Sequence, residues 1–358
     1  MREATDTPPS SQRAVALAAL LAATSAVAGC AAEAAPADVR AHGDVGTTIY
    51  GGERDQAATL SGVVALKVDT GATFDLCTGA LVAPNVVLTA RHCVSKNKSR
   101  TIVCDEQGRS ANGDHVIGDL DPASIQVYTG ADPQFARRAV ARGKQIVRGE
   151  GNVLCDGDIA LLVLDAPIEG AKVMPVRIGQ AVRPGETIKT IGYGKNDREL
   201  PVGTRMSKEG IGVLAVGRGT SPSQTALGTH EFETTMGTCE GDSGGPAISE
   251  KTGAIIGVVS RGGDCSEDFG HIYTSTVKQQ ALFARALASA SAVPELEAGS
   301  SLDPKSATFG ADDDAPPATH KAGCSQSAAP ASAGGSALAA LALGLFAVAA
   351  RRRSRQPS

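Results

Sequence analysis

Short apolar runs broken by glycine and proline are the feature that most limits the fold of this chain. The 358 residues include 42 glycines and 18 prolines, and no helical pattern lies between the runs. Many short strands without intervening helices are typical of antiparallel barrels or sandwiches. Helical spacing at 277–290 predicts a closing helix. The runs lie at 63–66, 80–82, 86–88, 125–128, 159–164, 187–191, 211–216 and 255–259.

Composition sets further limits on the class of protein. Hydrophobic residues make up 42% of the chain, enough for one or two sizeable cores, while aromatic residues are 3% and tryptophan is absent. Aliphatic side chains must therefore fill the interior. The net charge of -4, without a basic stripe in the body, gives no support to nucleic acid as a partner.

The segment 238–246 has the sequence TCEGDSGGP, which places one serine among glycines. Small residues on both sides of Ser243 allow a backbone turn to bring two N–H groups next to the hydroxyl. That is the geometry of a nucleophile and its oxyanion hole. A glycine-rich surface turn is the alternative interpretation of this segment alone, because short motifs have many false positives.

Two upstream motifs favour the catalytic interpretation of Ser243. His92 lies in the sequence LTARHC at 88–93, and Asp158 opens the apolar run DIALL at 158–162. A serine hydroxyl needs a base to remove its proton, and an imidazole base needs a buried carboxylate to hold its tautomer. His92, Asp158 and Ser243 supply these groups in one of the three known orders of this triad.

With these motifs the chain resembles the chymotrypsin/trypsin-like family of serine endopeptidases over residues 49–290. The resemblance implies an all-β fold of two six-stranded antiparallel β-barrels with a C-terminal helix and an active site between the barrels. It implies acyl transfer by His92, Asp158 and Ser243, with the N–H groups of Gly241 and Ser243 as the oxyanion hole. No cofactor is expected, and the substrate is a protein or peptide.

The resemblance extends to activation. The sequence IYGG at 49–52 is similar to the N-terminus that such enzymes expose on cleavage, where the freed amine pairs with the acid before the serine, here Asp242. A buried carboxylate needs a partner, so forming the Ile49–Asp242 pair can switch the site on. An activating protease is then a partner, and residues 31–48 are a propeptide or tether. An ordinary first strand is the alternative interpretation of Ile49.

The expected specificity pocket departs from the trypsin pattern. Gly237 stands where an acid selects Arg or Lys, so the resemblance does not support selectivity for basic residues. Arg261 stands where a tryptophan is common, and Arg261, Thr238 and His271 together are candidates to receive an acidic side chain. A small or neutral apolar side chain is the alternative, with His271 as a structural residue. The pocket residues implied by the resemblance are Gly237, Thr238, Ser260, Arg261, Gly262 and His271.

Eight cysteines divide into six in the body and two in the terminal segments. Six cysteines allow 15 pairings. The resemblance implies two pairs and leaves a third, which gives Cys77–Cys93, Cys239–Cys265 and Cys104–Cys155. Disulfides predict an oxidising, extracytoplasmic compartment. The sequence has no CxxC pair or His/Cys cluster with the spacing of a metal site, so no metal is predicted.

The span 95–151 is longer and more polar than the family usually has between these motifs. Its acids, among them Asp105 and Asp114, raise the possibility of a calcium loop, but their spacing does not match an EF-hand. We predict a solvated insertion.

Residues 1–30 have the pattern of a bacterial export signal. Arg2 and Arg13 precede an Ala-rich apolar run at 14–29, which suits a signal sequence and is short for a membrane span. The run ends in VAGC, which resembles a lipobox in which Cys30 is lipidated after cleavage. An ordinary cleavage site with an incidental cysteine is the alternative.

Composition changes again after residue 290. Residues 291–323 are rich in Ser, Ala, Pro, Asp and Gly and predict a disordered linker. Residues 324–358 begin at Cys324 and contain an apolar helix at 337–350 and an arginine cluster, which resembles the MYXO-CTERM sorting tail of myxobacterial surface proteins. That resemblance implies a sorting protease as a partner, with Cys324 carrying the surface attachment. A plain membrane anchor is the alternative.

Either terminal anchor would hold the enzyme at the cell surface or outer membrane of a bacterium, and secretion is the remaining extracytoplasmic location. Two other functional classes fit parts of the pattern. One is a catalytically silent trypsin-fold binding protein, against which the intact His92, Asp158 and Ser243 argue. The other is an anchored esterase with little activity on peptides.

Overall fold

The computed structural model describes residues 49–58, 61–69, 73–195, 200–262, 265–266, 270–306 and 309. The predicted signal peptide, propeptide and sorting tail, with Cys30 and Cys324, lie outside the described residues. In the part of the chain that is described, none of the helices combines the length and the apolar character that crossing a bilayer requires.

The described chain is built mainly from short strands. In chain order β1 to β9 are Glu53–Arg54, Val63–Asp69, Phe74–Ala83, Val86–Thr89, Ser95–Asn97, Val116–Asp119, Ile125–Tyr128, Ala141–Arg148 and Ala160–Leu164. Strands β10 to β17 are Thr187–Gly192, Met206–Val216, Gly219–Thr220, Ala226–Leu227, Glu231–Thr234, Pro246–Ser249, Ile255–Arg261 and His271–Ser275. Helix α1 is Gln280–Ala290, and 3-10 turns lie at Arg91–Val94 and Pro122–Ser124.

Two closed six-stranded antiparallel barrels form the body, so the predicted fold class is confirmed. The first barrel has the strand order β2-β3-β4-β9-β8-β7. The second has the order β11-β10-β15-β16-β17-β14 and is closed by pairing of β11 with β14, while β1 adds to its edge at β11. Closure leaves the six strands of each barrel without unpaired edges.

The apolar runs are continuous rather than alternating because both faces of these strands are buried. In β2, Val64 and Leu66 belong to a cluster drawn from the first barrel. Their neighbours Val63 and Ala65 belong to a larger cluster that also contains side chains of the second barrel and α1. Since successive residues of a strand point to opposite faces, one run fills a barrel and packs the two barrels together.

Helix α1 begins three residues later than predicted. Lys278 has a left-handed backbone conformation with φ +62°, which a right-handed helix cannot include. The helix therefore spans Gln280–Ala290 rather than 277–290. Its Leu282, Phe283 and Leu287 side chains are buried in the cluster between the barrels.

The span 95–151 is not the solvated insertion that we predicted. It contains β5 to β8, and β7 and β8 are strands of the first barrel. Asp114 is buried, and its carboxylate accepts a 2.7 Å hydrogen bond from Ser99 N. The Asp105 carboxylate accepts from Arg109 N and Nε at 2.9 and 2.8 Å. These two acids are occupied by protein groups.

The predicted linker also begins too early. Beyond α1 the chain pairs with Val176, which itself pairs with Ile255 of the second barrel. Val176 N donates to Glu295 O at 2.9 Å, and Glu297 N donates to Val176 O at 3.0 Å. The buried Glu297 carboxylate receives two 2.8 Å hydrogen bonds from the buried Arg177 guanidinium, and Phe309 is buried. We call residues 291–306 with Phe309 the C-terminal clasp.

Candidate active site

Asp158 holds His92 from two sides. Asp158 precedes β9 and is fully buried, while His92 lies on the 3-10 turn that follows β4. The Asp158 Oδ1 atom accepts from His92 N at 2.8 Å, and Oδ2 lies 2.7 Å from His92 Nδ1. Since β4 and β9 pair in register from Val86 to Thr89, the sheet itself brings the two residues together.

The contact between His92 and Asp158 changes the acidity of both groups. Burial lowers the pKa of His92, but the charge of Asp158 and its hydrogen bond outweigh burial and raise that pKa above its usual 6.5. Burial raises the pKa of Asp158, while the charge and hydrogen bonds of His92 lower it below 3.8 overall. Asp158 is therefore ionised at neutral pH, and it favours the protonated form of His92.

Ser243 lies on a turn that only glycines permit. Gly241 has φ +92°, and a Cβ there would lie 2.6 Å from Gly194 Cα. Gly244 has φ +78°, and a Cβ there would lie 2.1 Å from Thr89 Oγ1. Among the described residues, the N–H groups of Gly241 and Ser243 donate to no protein acceptor. They are thus available to bind an oxyanion.

His92 and Ser243 line one cleft of about 800 Å³, together with Gly241 and Glu240. Within the described part of the chain, the Ser243 hydroxyl forms no hydrogen bond with His92. Such contacts are commonly long without substrate and tighten in the substrate complex. The structure therefore brings the three predicted residues to one site, with the serine–histidine contact open.

Ile49 and Asp242, the predicted activation pair, are also brought together. Both residues are fully buried. Burial raises the pKa of Asp242 to about 7, against hydrogen bonds from the backbone N–H groups of Gly194, Cys239 and Ile49. In the intact chain the Ile49 nitrogen is a neutral amide, so this carboxyl group is buried with N–H donors as its partners.

Two glycines make room for the Asp242 carboxylate. A Cβ on Gly192 would lie 2.0 Å from Asp242 Oδ1, and a Cβ on Gly194 would lie 2.9 Å from the same oxygen. Tyr193 between them is fully buried, with its hydroxyl 2.8 Å from the carbonyl oxygens of Val63 and Gly130. Tyr193 thus links the second barrel, which carries Asp242, to the first.

Two residues of the predicted specificity pocket, Thr238 and His271, form a buried polar contact. Thr238 and His271 are buried, and Thr238 Oγ1 lies 3.0 Å from His271 Nδ1. A Cβ on Gly262 would lie 3.3 Å from the same nitrogen, and a Cβ on Gly237 would lie 2.4 Å from Ile211 Cδ1. His271 therefore lies between Thr238 and Gly262.

Arg261 does not belong to an anion-binding pocket. Its guanidinium forms a two-point ion pair with the buried Glu231 carboxylate, with Nη1–Oε1 at 2.5 Å and Nη2–Oε2 at 2.8 Å. A bidentate pair of this kind satisfies the arginine charge. The expectation that Arg261 helps to receive an acidic substrate side chain is wrong, because its guanidinium is already paired with the Glu231 carboxylate.

Ser260 contacts the carboxylate that holds His92. Its hydroxyl donates a 2.7 Å hydrogen bond to Asp158 Oδ2. Sequence reasoning assigned Ser260 to the pocket wall and missed this contact. It also missed Glu231 and the buried Thr78, whose hydroxyl contacts Gly241 O at 2.9 Å. These partners are distant in sequence, so no local pattern signals them.

The three disulfides of the structure are the predicted pairs, Cys77–Cys93, Cys104–Cys155 and Cys239–Cys265. The first attaches the turn that carries His92 to β3. Cys77, Cys93 and His92 lie close together in the manner of a metal-ligand cluster. The two sulfurs are already bonded to each other, so they are not thiolate ligands.

The family model described as Trypsin matches residues 49–281. A trypsin of Saccharopolyspora erythraea is 27% identical over 228 residues, covering 61% of this chain and 88% of the relative. The cercarial protease of Schistosoma mansoni is 28% identical over 205 residues, covering 52% and 70%. A trypsin of Simulium vittatum is 24% identical over 242 residues, covering 63% and 87%.

Among solved structures, that of the scabies mite inactivated protease paralogue S-D1 aligns with a TM-score of 0.49 at 16% identity, covering 69% of this chain and 100% of the other. The family match spans more than half of the chain and includes the segments that carry His92, Asp158 and Ser243. The chain belongs to the trypsin family.

Proposed function

We propose that this protein is a serine endopeptidase that works through His92, Asp158 and Ser243. The observation that carries the proposal is the fully buried Asp158, whose carboxylate contacts the backbone N–H and the ring Nδ1 of His92. His92 shares its cleft with Ser243. A buried carboxylate that fixes a histidine tautomer beside a serine is the arrangement that acyl transfer requires.

In the proposed reaction His92 removes the Ser243 proton, and the serine oxygen attacks the carbonyl carbon of the scissile peptide bond. The N–H groups of Gly241 and Ser243 bind the oxyanion that forms. His92 then gives its proton to the leaving amine, and the C–N bond breaks. Water, activated by His92, hydrolyses the acyl-enzyme and restores Ser243. This chemistry needs no cofactor.

We further propose activation by cleavage between Thr48 and Ile49. Cleavage by an activating protease turns the Ile49 amide into an ammonium group next to Asp242. The burial of both residues and the raised pKa of Asp242 support this, because an uncleaved chain offers the carboxylate no positive charge there. The protein is then a zymogen before cleavage.

The substrate is a protein or peptide. The pocket residues Gly237, Thr238 and His271 include no carboxylate, so they give no support to selection of Arg or Lys. Arg261 is paired with Glu231, so its positive charge does not favour substrates with an acidic side chain at the cut site. The remaining candidates are side chains that fit beside the Thr238–His271 contact.

We propose that the enzyme works outside the cytoplasm, because three disulfides in one domain are typical of oxidising compartments. Lipidation at Cys30 and cutting near Cys324 by a sorting protease are the proposed means of attachment to the membrane or cell surface. If residues 1–48 are cut from the body, Cys324 remains as the attachment point.

A fluorophosphonate probe tests the proposed function. The cleaved protein should be labelled, and Ser243→Ala should not. Labelling followed by turnover of peptides from a mixed library supports an endopeptidase. Labelling with turnover of small esters alone supports the esterase. Absence of labelling in the cleaved, folded protein, with its disulfides intact, supports the silent binding protein and contradicts the proposal.

A further inference from the structure

Thr78 lies behind the Ser243 turn and contacts it at two points. It belongs to β3 and is fully buried. Its backbone N–H donates to Ser243 O at 2.8 Å, and its hydroxyl donates to Gly241 O at 2.9 Å. Thr78 of the first barrel therefore holds both residues whose N–H groups are the proposed oxyanion donors, Ser243 through its backbone N–H and Gly241 through its hydroxyl.

The hydroxyl of Thr78 also serves as an acceptor. Tyr193 N donates to Thr78 Oγ1 at 3.0 Å, and the Thr78 carbonyl accepts from Thr89 Oγ1 at 2.8 Å. One hydroxyl thus connects the Gly241 carbonyl to Tyr193, whose neighbour Gly194 donates its N–H to Asp242 Oδ1 at 3.0 Å. All the polar atoms of Thr78 have partners, so the side chain has a defined orientation.

Gly241 is the position where such a restraint matters. Its φ of +92° and its lack of a Cβ allow more backbone conformations than another residue would have. Lys195 N holds the preceding carbonyl, that of Glu240, at 3.1 Å. The Thr78 hydroxyl holds the following carbonyl, that of Gly241, at 2.9 Å. Together they fix the peptides on both sides of the Gly241 α-carbon.

We propose that Thr78 is a positioning residue for the oxyanion hole, which it maintains through its hydroxyl. The inference rests on the proposed function, since it assigns Thr78 a role in that reaction. Without the hydroxyl, the Gly241 carbonyl and the Tyr193 N–H each lose a buried partner. The Gly241–Asp242 peptide can then rotate to find another donor. Because this peptide lies between the two peptides that carry the N–H groups of Gly241 and Ser243, its rotation changes the relative orientation of the two oxyanion donors.

The effect should appear in the chemical step. The N–H of Gly241 makes its strongest contact when the carbonyl oxygen carries negative charge, in the transition state. Loss of its orientation should therefore lower kcat and leave KM almost unchanged. A peptide boronic acid, which places a negatively charged oxygen in the hole, should also bind more weakly.

Thr78→Val removes the hydroxyl and keeps the side-chain shape, while Thr78→Ser keeps the hydroxyl. We expect Thr78→Val to lower kcat about tenfold or more, with KM changed less than about twofold. The boronic acid should lose affinity by a similar factor. Thr78→Ser should retain kcat within about threefold. If Thr78→Val does not fold, Thr78→Ala serves with the same expectations.

Thr276→Val is the matched control. Thr276 is equally buried, and its hydroxyl donates to Arg177 O at 2.6 Å, next to the ion pair of the C-terminal clasp. This variant should lose stability and keep kcat. An unchanged kcat in Thr78→Val, or equal losses of kcat in Thr78→Val and Thr276→Val, would overturn the proposal. Failure of both hydroxyl-free variants to fold would assign Thr78 a purely structural role and overturn it as well.

Amide hydrogen exchange separates this proposal from the proposed function. In Ser243→Ala, which cannot turn over substrate, adding Thr78→Val should speed exchange at Tyr193 N–H, and adding Thr78→Ser should not. If the parent protein folds but has no activity, the proposed function fails while this result still tests the hydroxyl contact. Equal exchange in both double variants would overturn the contact whether or not the enzyme is active.

Discussion

Ser260 donates a hydrogen bond to Asp158 Oδ2, the same oxygen that lies against His92 Nδ1, and both distances are 2.7 Å. Ser260 lies on β16 of the second barrel, whereas Asp158 precedes β9 of the first. The orientation of the candidate base is therefore fixed by a contact between the barrels. This hydrogen bond also helps to keep Asp158 ionised.

Replacing Ser260 by alanine should lower kcat/KM about tenfold, because a hydrogen bond to a charged group is worth about 1.5–3 kcal/mol and part of that supports the transition state. Initial rates on one peptide substrate measure the change. Ser275→Ala is the control, since Ser275 is buried on β17 and its hydroxyl contacts Ile256 O at 3.4 Å. Equal activity of Ser260→Ala and the parent enzyme would contradict the assignment.

Asp158→Asn should lower both the rate and the pKa that governs it. In a Ser-His-Asp protease this change lowers kcat about 10⁴-fold because the tautomer is wrong. The charge of Asp158 raises the pKa of His92, so the parent enzyme should gain activity as pH rises through a midpoint above 6.5. Without that charge, burial lowers the pKa and the midpoint moves to lower pH.

The measurement is kcat/KM between about pH 5 and 9 for both proteins. A midpoint that stays in place, or moves to higher pH, in Asp158→Asn would show that Asp158 does not set the pKa of His92.

The stability of the uncleaved chain should decrease as pH rises through the acid range. The folded protein holds the proton on Asp242 up to about pH 7, whereas the unfolded chain releases it near 3.8. The folded state therefore binds more protons within this window, and raising the pH across it favours unfolding. Cleavage before Ile49 supplies an ammonium group and should remove this loss.

Thermal unfolding of Ser243→Ala, before and after cleavage at a protease site placed ahead of Ile49, measures the effect. Uncleaved Asp242→Asn should lack this part of the pH dependence. Identical profiles for the cleaved and uncleaved proteins would argue against the Ile49–Asp242 pair.

The Arg261–Glu231 pair should be important for stability. Glu231→Gln leaves the buried guanidinium without its counter-ion, which costs about 3–5 kcal/mol in the free energy of unfolding. Adding Arg261→Met removes the stranded charge and should recover more than half of the loss. Urea unfolding of the three proteins measures both values. A single variant within about 1 kcal/mol of the parent would mean that water reaches the guanidinium.

Shortening the chain tests the C-terminal clasp. A chain that ends at residue 290 lacks Glu297, a carboxylate partner of the buried Arg177, and the buried Phe309. Its free energy of unfolding should fall by at least about 3 kcal/mol. A chain that ends at Phe309 is the control and should unfold like the full-length protein. Identical urea curves for both shortened chains would show that the clasp adds no stability.

The parts of the site that sequence predicted are those with short local motifs. His92 and Ser243 each lie among neighbours of restricted type, and strands such as β2 and β9 have both faces buried, so they read as apolar runs. The cysteine pairing came from the family resemblance. In each case the information lies within a few residues or in a shared pattern.

The missed features depend on contacts between distant residues. Strand β14 contains two buried acids, Glu231 and Glu233, and nothing near them in sequence reveals that Arg261 pairs with the first. Polar residues alternate with buried ones in β8, so it lacks an apolar run. The polar composition of the clasp predicts a linker, although Glu297 has a buried cationic partner 120 positions earlier.

The clasp also determines where mechanical load enters the molecule. If the tail beyond it holds the enzyme to a surface, tension reaches the folded body first at Phe309. It then passes to the backbone hydrogen bonds on either side of Val176 and to the contact between Arg177 and Glu297 before it reaches α1. Such a pull would thus act first on Phe309, in the cluster that both barrels share, and on the Val176 and Arg177 contacts of the second barrel.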